Sequence, residues 1–95
     1  MSDAACQRAA ALFRAAGDAH RLRLLEHLGH GERCVSDLAA ATGTKLSTLS
    51  QQLRVLRMER LVHQRREGKH IFYSLADAHI RELVTAALHH ASEAH

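Results

Sequence analysis

The chain has 95 residues, of which 46% are apolar and 3% aromatic, and it carries a formal net charge of +3. This length holds one compact domain spanning residues 1–95, and an interior of Ala and Leu favours a mainly α fold of small aliphatic side chains. No run of about 18 apolar residues occurs, which excludes a membrane-spanning helix, and the opening MSDAACQRAAALFR lacks the basic start and long apolar stretch of a secretory signal.

The expected location is therefore the cytoplasm, where Cys6 and Cys34 are free thiols or ligands rather than a structural disulfide. A domain of this size buries a modest share of its chain, so dimerisation would add to its stability. The sequence contains no H-E-x-x-H, nucleophile elbow or phosphate-cradling glycine loop, so an enzyme is not expected.

The elements follow in chain order. Roughly Asp3 to Ala16 is an Ala-rich helix ended by Gly17. Asp18 offers the next N-cap, and Leu22, Leu25 and Leu28 form a helical stripe that stops at Gly29. Ser36 is the expected cap of a short third helix carrying Val35, Leu38 and Ala39, with Gly43 in the turn that closes it. In a fourth helix, over about 46–57, Leu46, Leu49, Leu53 and Leu56 keep the spacing of a buried face.

The period then changes. Leu61 to Arg65 and His70 to Leu75 are β-prone runs joined by Arg66-Glu67-Gly68-Lys69, which predicts a hairpin over about 61–75. The last helix, over about 77–92, places Ile80, Leu83, Val84, Ala87 and Leu88 on its apolar face. This is the element order of a winged helix-turn-helix, mainly α with a small β-hairpin.

Charge is segregated along the chain. Between Lys45 and His70 lie seven basic residues (Lys45, Arg54, Arg57, Arg60, Arg65, Arg66 and Lys69) against Glu59 and Glu67. A basic middle suggests a polyanionic partner. The leucine stripe leaves Ser47, Thr48 and Gln51 pointing outward in the first turns of the fourth helix, with Arg54 on the flank; short hydroxyls and an amide there suit base edges in a major groove. Lys45 at the helix start, and Arg65, Arg66, Lys69 and His70 around the hairpin tip, suit phosphates or an adjacent minor groove. Each residue alone is an ordinary surface group. Turn, outward polar face, basic hairpin and charge segregation together point to double-stranded operator DNA.

The final helix carries Asp77 and His79 at its start and His90 and Glu93 near its end. His79 and His90 are eleven residues apart, roughly 16 Å along a helix, whereas ligands of one zinc lie about 2 Å from the metal. The two pairs therefore cannot hold one ion within a chain. Two copies of the helix packed antiparallel across a homodimer axis would bring Asp77 and His79 of one subunit to His90 and Glu93 of the other, twice by symmetry. Two imidazoles and two carboxylates suit Zn(II), and also Co(II) or Ni(II). On spacing alone the simpler alternative is favoured, with Asp77 as an N-cap and the histidines as surface residues, since His89 and His95 have no evident role.

From Gly17-Asp18-Ala19-His20-Arg21-Leu22-Arg23-Leu24-Leu25 to its end, the sequence resembles the ArsR/SmtB family of bacterial metal-responsive repressors. Glu32-Arg33-Cys34-Val35-Ser36-Asp37-Leu38 is similar to the family's ELCVxDL segment, and Leu46 to Arg57 to its recognition helix. Asp77-x-His79-(x10)-His90-x-x-Glu93 resembles its final-helix metal motif at every spacing.

The resemblance implies a nucleoid-associated repressor that binds its operator as an apo dimer and is released by Zn(II) or a similar ion, Cd(II) included, at an intersubunit site. It also implies that His90, once ligated, donates from its other ring nitrogen toward the backbone near Arg60. Two departures stand out: Ala19 replaces a frequent Pro, and Cys34-Val35-Ser36 has one of the paired cysteines of soft-metal sensors. Cys34 with Asp37, completed by Cys6 of the other subunit, would be the remnant of a second site; the reading adopted is that Cys34 packs as a small apolar residue. The alternative is the same repressor sensing oxidants, reactive sulfur or As(III)/Cd(II) through Cys6 and Cys34.

Overall fold

A computed structural model describes residues 1–93; Ala94 and His95, the end of the single domain expected over residues 1–95, lie outside the described residues. In chain order the elements are α1 (Asp3–Ala16), α2 (Ala19–Leu28), β1 (Arg33–Cys34), α3 (Val35–Thr42), α4 (Leu46–Met58), β2 (Val62–Glu67), β3 (His70–Leu75) and α5 (Ala78–Ser92). The order is that of a winged helix-turn-helix, with α3 and α4 as the helix pair and β2–β3 as the wing. No helix among the described residues is long and apolar enough to cross a membrane.

Three helices start where a short oxygen side chain can take an orphan N–H. Ser2 Oγ accepts from the Ala5 N–H (3.1 Å), Asp18 Oδ2 from Arg21 (3.0 Å) and Asp77 Oδ1 from Ile80 (3.0 Å). The Arg21 N–H holds the Asp18 carboxyl below its ordinary pKa. Arg21 also reaches back, its Nε donating to the Ala15 carbonyl at 2.6 Å, so the start of α2 closes the end of α1. Ser36 is not the cap of α3: Cys34 occupies that position without a side-chain bond, because the chain is already extended there as β1. Gly43 lies at φ 64°, the left-handed turn that lets α3 stop and α4 depart.

The core is built largely from leucine. Leu24, Leu25 and Leu28 of α2, Leu38 of α3, and Leu49, Leu53 and Leu56 of α4 are fully buried, and Ile80 and Val84 of α5 close over them. Burying each leucine stabilises the fold by about 1.5–3 kcal/mol relative to exposure. Two positions of the expected stripes lie elsewhere: Leu46 is 58% exposed, and Ala87 is exposed on α5 while Leu83 is half-buried.

The sheet has the order β1-β3-β2, antiparallel throughout, with β2 and β3 in register from Val62↔Leu75 to Glu67↔His70. The turn is shorter than the four residues expected: Arg66 and Glu67 belong to β2, and Gly68, at φ 60°, and Lys69 make the corner. A positive φ at the first of two loop residues is the geometry that glycine supplies in tight hairpins. β1 pairs Arg33 with Tyr73 and Cys34 with Phe72.

Leu53→Ala should cost about 2–5 kcal/mol through lost burial and an unfilled cavity. Urea unfolding of both proteins at one protein concentration measures the difference; a loss below about 1 kcal/mol would show that the stripe does not anchor α4.

Candidate nucleic-acid interface and metal-ligand pairs

α4 is seated by one face, which decides what the opposite face offers. With Leu49, Leu53 and Leu56 inward, Ser47, Thr48, Gln51 and Arg54 are all exposed, as is Lys45 at the N-cap position. Arg66, Lys69 and His70 are exposed at the far end of the wing. Among the described residues no ion pair involves Lys45, Arg54, Arg66 or Lys69, so their charge faces solvent.

Arg65 differs. Its Nε and Nη2 donate to the two oxygens of Glu32 (3.1 and 2.7 Å), its Nη1 donates to Glu67 (2.6 Å), and its guanidinium lies 4.6 Å from the centre of the Phe72 ring. Glu32 first and Glu67 second raise the Arg65 pKa, and the same bond from Arg65 holds the Glu32 carboxyl below its ordinary value. This forked pair fastens the wing to the segment that precedes β1.

A second tie runs inside. Arg57, near the end of α4, donates through Nη1 to Gln64 Oε1 on β2, and Gln64 Nε2 donates to the Tyr73 hydroxyl on β3 (3.0 Å). Sequence reasoning counted Arg57 among the basic residues but did not foresee its bond to Gln64 or the bond to Tyr73, because the turn expected at 66–69 sets Gln64 opposite Ile71, whereas the shorter turn sets it opposite Tyr73.

α4 ends in a left-handed residue. Arg60 has φ 58°, its N–H donates to the Arg57 carbonyl (3.0 Å), and the Leu61 N–H donates to Leu56 (2.9 Å). This is the Schellman closure with arginine where glycine is usual. A cleft beside it is lined by Arg8, Leu12, Met58, Arg60, Asp77 and His79, so the start of α5 and the end of α4 share one opening.

Asp77 and His79 are brought together, with Oδ1 and Nδ1 3.9 Å apart and His79 92% exposed. Donor atoms of a tetrahedral zinc lie about 3.3 Å apart, closer than this pair stands. His90 is exposed in the last turn of α5, and Glu93 follows the helix as its C-cap, its N–H donating to the His90 carbonyl (3.4 Å). The four residues do not meet within the chain, and among the described residues no three His, Cys, Asp or Glu side chains gather where they could hold a metal. Both thiols are free: Cys6 is exposed on α1, and Cys34 is half-buried with Sγ 3.2 Å from Ser36 Oγ.

The arsR family of bacterial regulatory proteins matches residues 18–64, from the N-cap of α2 to mid-β2. The chain is 46% identical over 87 residues to the transcriptional repressor SmtB homolog of Synechocystis sp., covering 92% of this chain and 66% of that protein, just under two thirds of its length. It is 36% identical over 85 residues to the cadmium resistance transcriptional regulatory protein CadC homolog of Staphylococcus aureus, covering 88% and 70%. The solution structure of the homodimeric winged helix-turn-helix DNA-binding domain of Mb0332 from Mycobacterium bovis superposes with a TM-score of 0.90 at 34% identity, covering 98% of this chain and 89% of that one. The chain belongs to the arsR family of bacterial regulatory proteins.

Because Glu32 has a lowered pKa in the folded chain, the contribution of its bond with Arg65 is present above the ordinary glutamate range and is lost as pH falls through the lowered value. Glu32→Gln should therefore unfold at lower urea than wild type at neutral pH, and the gap should narrow as pH falls below the ordinary glutamate range. A gap that does not change with pH would mean that the charge on Glu32 contributes nothing.

Proposed function

We propose that this chain is a transcriptional repressor that binds operator DNA as a metal-free homodimer and is released when Zn(II) or a similar divalent ion binds at an intersubunit site. Ser47, Thr48, Gln51 and Arg54 would meet base edges, and Lys45, Arg66, Lys69 and His70 the phosphates. Arg65 would act by holding the wing against Glu32 rather than by lending its charge. Repression is the function named for the SmtB homolog, a resistance regulator is named for the CadC homolog, and a homodimeric DNA-binding domain is the Mb0332 structure.

The single observation that carries the metal reading is the division of the ligands. Asp77 and His79 sit as an exposed chelating pair at one end of α5, and His90 and Glu93 lie at the other. One protomer offers half a site at each end, and a second copy packed antiparallel would complete both. Bound metal would supply charge neutralisation for the two carboxylates and a link between the two copies of α5.

The chain's own residues provide the route to DNA. Asp77 caps α5 through Oδ1 while opening on the cleft shared with Arg60. Arg60 terminates α4 by its bond to Arg57, and Arg57 holds Gln64 on the wing. A shift at the start of α5 would reach α4 and the wing across that cleft and through these bonds. His90 of a second copy, near Asp77, would stand within reach of the backbone at Arg60.

Fluorescence anisotropy on a duplex enriched from a random pool by metal-free protein tests this reading. Stoichiometric Zn(II) should weaken binding about 5- to 150-fold, and His90→Ala should abolish the response while Cys34→Ser keeps it. By reciprocity, bound duplex should weaken zinc binding by the same factor; a zinc affinity indifferent to DNA would falsify the mechanism. In the same assay Lys69→Ala should weaken all duplexes alike and lower the salt slope by about 1, and an unchanged slope would remove Lys69 from the phosphate contacts.

A further inference from the structure

Leu46 opens α4 and is 58% exposed, while Leu49 and Leu53, one and two turns on, are fully buried. At 100° per residue, Leu46 shares the wing-side flank of α4 with Ser50 and Arg57. The groove on that flank is lined by Cys34, Leu46, Ser50, Lys69, His70 and Ile71. Half-buried Val35 and Ile71 form an apolar floor beside the leucine, and the exposed residues around it are polar or basic: Lys45, Ser47, Ser50, Lys69 and His70. An apolar side chain placed at the leading end of the recognition helix, inside a cationic rim, calls for a partner that is anionic overall and locally apolar. In the major groove of a DNA duplex the C5-methyl of thymine is the apolar group that base pairs present.

We propose that Leu46 is a specificity-determining residue that packs on the C5-methyl of a thymine in each half-site; this rests on the DNA-binding reading above. The cations of the rim fix the register on the backbone, and the leucine distinguishes a thymine from a base without the methyl. Lys45 and Ser47, its chain neighbours, lie on the same leading turn of α4.

The test uses metal-free full chain and duplexes it enriches from a random-sequence pool. Each thymine of one half-site is replaced in turn by deoxyuridine, which removes only the methyl. At one position the replacement should weaken wild-type binding about fourfold, Leu46→Met should keep that dependence, and Leu46→Ala should lose it. Equal losses for wild type and Leu46→Ala at every position would overturn the leucine contact alone. A change of oligomeric state in Leu46→Ala, read by sedimentation, would also overturn it by assigning the side chain to a subunit contact. Failure to enrich any duplex would overturn the DNA-binding reading and this proposal with it.

Discussion

Leu49, Leu53 and Leu56 seat α4 against the leucines of α2 and α3, and the rest of the molecule is arranged around that one-sided burial. A helix held by a single apolar stripe has no choice about what it exposes: the residues half a turn away are presented to solvent in fixed order. Nine large side chains, from Leu24 to Val62, are sealed from water, so the stripe is held by close packing on several sides. Ser47, Thr48, Gln51 and Arg54 on the outward face of α4 are therefore held in place by the packing of the opposite face.

Most of the fold was legible because it follows from periodicity and caps. The Asp18 and Asp77 caps, the turn glycines Gly43 and Gly68, and the switch from a helical period to β-prone runs near Leu61 all belong to local chemistry that a single sequence displays. The failures have equally local causes. β1 is two residues long and has no period to detect, and its extended backbone moved the start of α3 away from Ser36. Leu46 has the spacing of a core residue but lies at the end of the helix, where the packing partners of the stripe run out. Spacing gives direction around a helix and says nothing of how far along it the core extends.

The site was legible to a lesser degree. The outward polar residues of α4 follow from sequence spacing, whereas the Asp77–His79 pair was pointed to by the family resemblance and not by spacing, and pairings between distant segments were not visible at all. Arg65 and Glu32 are 33 residues apart, and nothing in either neighbourhood reveals that a residue counted among the wing's free cations is fastened to a carboxylate. Arg57 and Gln64 are only seven apart, yet their bond crosses from a helix to a strand and depends on the intervening left-handed turn at Arg60. The two pairs on α5 present the opposite problem: the motif is visible in the sequence, and the proposed site would need a second copy of the chain to close it.

The wing is a lever. β2 has six residues and is clamped at its middle by Arg57 through Gln64, which at about 3.3 Å per residue leaves an arm of about 10 Å from Gln64 to Glu67. A tilt of α4 by about 5° carried through that clamp displaces the hairpin tip by about 0.9 Å, enough to take a hydrogen bond of ordinary length out of range. The corner at Gly68 and Lys69 is too short to absorb the motion. A rotation small enough to leave the leucine stripe in place is thus magnified at the tip, where Lys69 and His70 stand.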